Sequence, residues 1–112
     1  MVVEVDVDNG GRKYVLAVVP GDKRVNLRAV ANISGGRAAR LAVRDMAMAL
    51  TSCEIGAVPP FSFNEQLQVL ADEGLAEGER IVFNAGRLDC SIIMQSNAYF
   101  SLQHAQCCSI AC

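Results

Sequence analysis

Val2-Val3-Glu4-Val5-Asp6-Val7-Asp8, then Asn9-Gly10-Gly11, then Tyr14-Val15-Leu16-Ala17-Val18-Val19 follow one another along the sequence and decide its fold class. The first segment alternates β-branched and acidic residues with period two, the pattern of a half-buried strand. Asn-Gly-Gly supplies residues that tolerate positive φ in a tight turn. The third segment is a nearly continuous apolar run, as expected of a strand covered on both faces, and Pro20-Gly21-Asp22 stops it. Together they predict a β-hairpin.

Beyond the hairpin, Asn26 can cap a helix through about Asn32, with Leu27, Val30 and Ala31 on one side and Arg24 and Arg28 on the other. Ser34-Gly35-Gly36 breaks it. A short strand is predicted over Ala38–Val43 and a Met- and Ala-rich helix over Asp45–Thr51, leading into a loop from Ser52 to Phe63. Strands are predicted at Leu67–Leu70, Arg80–Asn84 and Ser91–Met94, with a turn and short helix over Ala71–Glu79. A last helix starts at Ser96, its expected cap, and runs to about His104. Strands and helices mixed in this way imply an α/β or α+β domain with a mixed, largely antiparallel sheet and flanking helices.

The 112 residues suit one domain, since single cores commonly occupy about 100 to 150 residues. Hydrophobic residues make up 52% and charged residues 20%, which places the chain outside the disordered class. Aromatics at 5% and the absence of Trp leave little material for a stacking platform that binds single strands. Net charge is -2, yet Lys23, Arg24, Arg28, Arg37, Arg40 and Arg44 fall in one stretch without an acid and carry +6. Elsewhere four bases face twelve acids, leaving -8. Such segregation is a footprint either of a face for an anionic partner or of a solvated helix face.

No secretory signal pattern and no apolar run near 18 residues occurs, so a cytoplasmic protein with reduced thiols and no membrane partner is expected. His104, Cys107, Cys108 and Cys112 have the side chains of a zinc site but not its spacing, because no Cys-x-x-Cys occurs. No metal or cofactor is expected. Cys53 and Cys90 flank the loops named next, without an adjacent base to lower a thiol pKa.

Three ordered segments carry a resemblance: Val15 to Leu27 with its Val-Val-Pro-Gly-Asp-Lys-Arg core, Thr51-Ser52-Cys53-Glu54-Ile55-Gly56-Ala57-Val58-Pro59-Pro60-Phe61, and Asn84-Ala85-Gly86-Arg87. Together they resemble the YbaK/ProX-like aminoacyl-tRNA editing family associated with prolyl-tRNA synthetase, over roughly residues 1 to 102. The resemblance implies a barrel-like sheet and metal-free hydrolysis of the ester that joins a wrong small amino acid to tRNA, typically tRNA for proline. It places Gly56 and Pro60 in the catalytic loop and Ala57, Val58, Pro59, Phe61, Ala85, Gly86 and Arg87 against the substrate. Glycine allows close backbone approach, and exposed amides can hold an ester carbonyl or its oxyanion. Arg24, Arg28 and Arg40 of the basic stretch are the expected contacts to tRNA, with no role for DNA. Asp72-Glu73 resembles the family's acidic pair and is read as bracing a turn.

The resemblance also has departures. Family members usually carry a helix and then a Lys-Thr pair ahead of the first strand, where this sequence starts at Met1 inside that strand; neither Lys13 nor Lys23 matches. Where some relatives have a histidine after the Ala-Gly-Arg segment, this chain has Leu88-Asp89-Cys90. Two readings therefore stand: an editing hydrolase in which the nucleic acid's own 2′-hydroxyl activates water, or a non-catalytic module that binds tRNA or a nucleotide. A domain short at its N-terminus would also leave part of the sheet uncovered, which favours a homodimer.

Overall fold

The computed structural model describes residues 1–7, 10–54, 56–103 and 105–112. The alternating valines form β1 (Val2–Val7), and the apolar run forms β2 (Arg12–Val18). The two pair antiparallel with Val3 opposite Val15, which is the predicted hairpin; Asn9 of its turn lies outside the described residues. Next come α1 (Leu27–Ile33), β3 (Gly36–Leu41), α2 (Arg44–Thr51), β4 (Leu67–Asp72) and α3 (Glu73–Glu77). β5 (Arg80–Asn84), β6 (Ser91–Gln95), α4 (Ser96–Leu102) and β7 (Gln106–Cys108) complete the order.

The main sheet runs β3-β1-β2-β4-β7, with β1 antiparallel to both β2 and β3, β2 parallel to β4, and β4 parallel to β7. β5 and β6 form a separate antiparallel ribbon. The main sheet is mixed, as expected, with two antiparallel and two parallel pairings; counting the ribbon, antiparallel pairing predominates, and the barrel is not closed, since β3 and β7 end the sheet on either side.

Period two explains how β2 serves two cores. Val15 and Ala17 face one side with Val3, Val5, Leu70, Val30 of α1 and Ile110, whereas Leu16 faces the other with Val2, Leu67, Val69 and Ala47 of α2. Burying each of the larger aliphatics contributes about 1.5–3 kcal/mol. Asn26 caps α1 as predicted, its side chain accepting from the Ala29 amide at 3.2 Å.

β3 begins two residues earlier than predicted because Gly36 enters the sheet at an irregularity of the β1–β3 register beside Asp6 and Val7. A Cβ on Gly36 would stand 2.3 Å from Val5 Cγ1 and 2.7 Å from the Asp6 carbonyl oxygen. Gly36→Ala is therefore expected to lower unfolding free energy by about 2 kcal/mol, as overpacking typically does, with urea denaturation as the check.

One further expectation is corrected. The last helix starts on Gln95 as its cap and stops at Leu102, and Ser96 is buried with a hydroxyl that has no hydrogen-bond partner among the described residues. The tail is also structured: β7 pairs with β4, Ile110 is fully buried, and Val25 bridges to Ala111. Asp72 holds this tail in place. It caps α3 by accepting from Gly74 at 2.9 Å and accepts from the amides of Ile110 and Ala111 at 3.0 Å each, so it braces structure as the sequence suggested.

Candidate active site

The loop after α2 reaches its site through two left-handed residues. Ser52 (φ 59) ends α2, and Gly56 (φ +90) turns the chain toward Pro59-Pro60. Two hydrogen bonds tie this loop to the Asn84–Arg87 segment. Asn84 Nδ2 donates to the Gly56 carbonyl at 2.7 Å, and the Gly86 amide donates to the Ala57 carbonyl at 2.9 Å. Gly86 takes φ +86 to do so, and a Cβ there would sit 3.8 Å from Cys53 Sγ. Beneath the loop, the buried Tyr99 hydroxyl donates to the Pro60 carbonyl at 2.7 Å, and burial pushes its pKa up to about 12. Phe61 packs edge-on against both Tyr99 and Phe83, with centroids at 5.2 and 5.7 Å.

A cavity of about 580 Å³ opens between this loop, the end of β2, the start of α3 and β5. Of the residues predicted from sequence, Gly56, Val58, Pro59 and Pro60 line it. Ala57 is buried, and neither it nor Phe61, Ala85 or Gly86 belongs to the lining. Among the described residues none accepts the amide N–H of Gly56 or Val58, so two backbone donors remain at the lining. Gly86, by contrast, spends its amide on the loop.

The charged residues fall elsewhere than the sequence suggested. Arg87 lies outside the cavity and forms a bidentate pair with Asp89 at 2.9 and 2.8 Å. Arg40 lies across β1, where its guanidinium holds Glu4 at 2.6 Å and also pairs with Asp6, whose carboxyl this hydrogen bond keeps below the usual range. Acids of β1 thus offset part of the +6 stretch. Arg24 and Arg28 are exposed, and neither lines the cavity. Among the described residues the one Lys or Arg that lines it is Arg80, at the start of β5. No described residue pairs with its guanidinium. Sequence reading missed it because nothing local marks a strand-edge arginine as facing a cavity.

Among the described residues no group of three His, Cys, Asp or Glu could hold a metal, and His104 lies outside the described residues. Cys53, Cys90, Cys107, Cys108 and Cys112 are all free thiols.

Asn84→Ala would release the Gly56 carbonyl without altering the core. It is expected to cost about 1 kcal/mol of stability and, if the cavity hydrolyses an ester, about tenfold in kcat/KM through misplacement of the loop.

The cavity is thus walled by a glycine-proline loop and carries Arg80, whose guanidinium no described residue pairs. The family model of the aminoacyl-tRNA editing domain matches residues 1–102, and the chain belongs to that family. It is 40% identical over 95 residues to the multifunctional Ser/Thr-tRNA deacylase ProXp-y of Escherichia coli (strain K12), an alignment covering 84% of this chain and 57% of the relative. The chain thus spans little more than half the length of that relative. It is 34% identical over 76 residues to the proline–tRNA ligase of Bacillus cytotoxicus, covering 68% of this chain and 12% of the ligase. A crystal structure of a candidate trans-editing enzyme for prolyl-tRNA synthetase superposes with a TM-score of 0.77 at 26% identity, over 97% of this chain and 68% of that one. A second, of a hypothetical protein, gives 0.80 at 24% identity over 97% and 71% of the two chains and supports the fold. No helix among the described residues is long and apolar enough to cross a membrane.

Proposed function

We propose that this chain is a trans-editing hydrolase that deacylates misacylated tRNA in the cytoplasm, with the acceptor end as its partner. The observation that carries the reading is the cavity itself: the Gly56–Pro60 loop, held by Asn84 and Tyr99, forms one wall and Arg80 another. The amides of Gly56 and Val58 supply donors for the carbonyl oxygen as it takes on negative charge, and Arg80 holds a phosphate of the terminal nucleotide. Water, activated by the ribose hydroxyl next to the ester, adds to the carbonyl carbon. The acyl C–O bond then breaks, the ribose oxygen takes a proton, and free amino acid and tRNA leave. The protein contributes position and electrostatics rather than a side-chain nucleophile.

Serine and threonine are the first amino acids to test, given the named activity of the Escherichia coli relative, followed by alanine and cysteine on tRNA for proline. The aliphatic lining from Leu16, Val18, Val58 and Ile81 suits a small side chain. Release of labelled amino acid from each charged tRNA is the measurement. Turnover of at least one misacylated species, with correctly charged Pro-tRNA spared, supports the reading. Salt-dependent tRNA binding with no release from any species would replace it with the non-catalytic binding module.

A further inference from the structure

A second cavity, about 860 Å³, adjoins the first, and Gly78 and Arg80 line both. Glu79, Gln95, Ser96, Asn97 and Phe100 contribute to its wall. We propose that it is a nucleotide subsite for the cytidine preceding the terminal adenosine of the CCA end, an inference that rests on the deacylase reading above.

Four observations converge on a pyrimidine nucleotide. Arg80, whose guanidinium no described residue pairs, lines both cavities, where the phosphodiester joining two successive nucleotides would lie. Glu79 lines the second cavity only. A carboxylate is a liability in a site that merely collects phosphate, but it is a suitable acceptor for the exocyclic amino group of cytosine. Phe100 supplies a ring for base stacking and is itself anchored edge-on to the buried Tyr99 at 5.0 Å. Finally, Gln95 and Asn97, exposed on either side of the buried Ser96, contribute to this wall, and their amides offer donors and acceptors for a base edge.

Glu79 allows a test whose sign is decisive. Its side chain is exposed, and its structural bond is made by the backbone: the Glu79 carbonyl accepts from the Ser96 amide at 2.9 Å, which Glu79→Ala preserves. The probe is a fluorescent acceptor minihelix ending in CCA and carrying serine through a non-hydrolysable 3′-amide, with affinity read by anisotropy. An abasic residue at the penultimate position is expected to weaken binding to the wild type about tenfold, the scale of one good base contact. Glu79→Ala is expected to weaken binding of the intact minihelix several-fold and to leave the abasic one unchanged. Equal affinity for intact and abasic probes, or Glu79→Ala tightening both as plain removal of a negative charge would, overturns the subsite. If the abasic change is silent while the serylated probe still binds better than the uncharged one, the subsite alone falls. If serylation brings no gain in affinity, the deacylase reading falls with it.

Discussion

Arg80→Ala is expected to lower kcat/KM for aminoacyl-tRNA hydrolysis about a hundredfold, the usual scale for losing a charge-assisted contact in a preorganised site. Thermal stability should hardly move, because the guanidinium is exposed and pairs with no described residue. Arg80→Lys should recover part of the rate, since the charge survives while the forked geometry does not. The paired arginines provide the contrast: Arg87 is held by Asp89 and Arg40 by Glu4 and Asp6. Single-turnover kinetics at two salt concentrations would show the effect, and an Arg80→Ala rate within twofold of wild type would remove Arg80 from the site.

The largest loss of stability is expected at Asp72. Its buried carboxylate accepts from Gly74, Ile110 and Ala111, and Asp72→Ala would strip three backbone donors of their acceptor and free the tail from α3. A cost of about 3 kcal/mol follows from leaving buried amides unsatisfied. Burial by itself would raise the Asp72 pKa, but the three amides outweigh it and hold the carboxyl below its usual value. A depressed pKa means that the folded state binds this proton less tightly than the unfolded chain does. The contribution is therefore complete above about pH 4 and is lost as pH falls through the folded value. Urea denaturation at neutral and acid pH should show Asp72→Asn less stable than wild type at pH 7 and the gap narrowing in acid. A gap that widens in acid would contradict this assignment.

Local pattern made much of the fold legible. Alternation in Val2–Val7, the Asn-Gly-Gly turn and the apolar run of β2 predict the hairpin that forms, and β5 has the predicted bounds. Asn26 announces its cap because a short polar side chain stands directly before the apolar residues of the helix, whereas the bracing role of Asp72 is read from the family's acidic pair. β7 is not legible in this way. Three residues, Gln106-Cys107-Cys108, carry no period, and they pair with Leu70–Asp72 of β4, far away in the sequence, while Asp72 also holds the Ile110 and Ala111 amides just beyond. At the site, the segments around Gly56 and Asn84 were visible as motifs, and the structure adds the hydrogen bonds that join them. Charge was the least legible feature. A count along the chain cannot show that Arg40 folds back onto the acids of β1, or that Arg80, outside the basic stretch, faces two cavities.

Deacylation of Ser- and Thr-charged tRNA by the chain alone tests the central claim most directly, with Gly56→Ala run beside it. A Cβ at Gly56 would demand φ +90 of an alanine and touch Leu88 Cδ2 at 3.4 Å, so the loop must shift. The account predicts amino-acid release well above the buffer rate for the wild type and at least tenfold slower release for Gly56→Ala, given the cost of a misplaced loop. Release at the buffer rate from both charged tRNAs, or equal rates for wild type and variant, would contradict it.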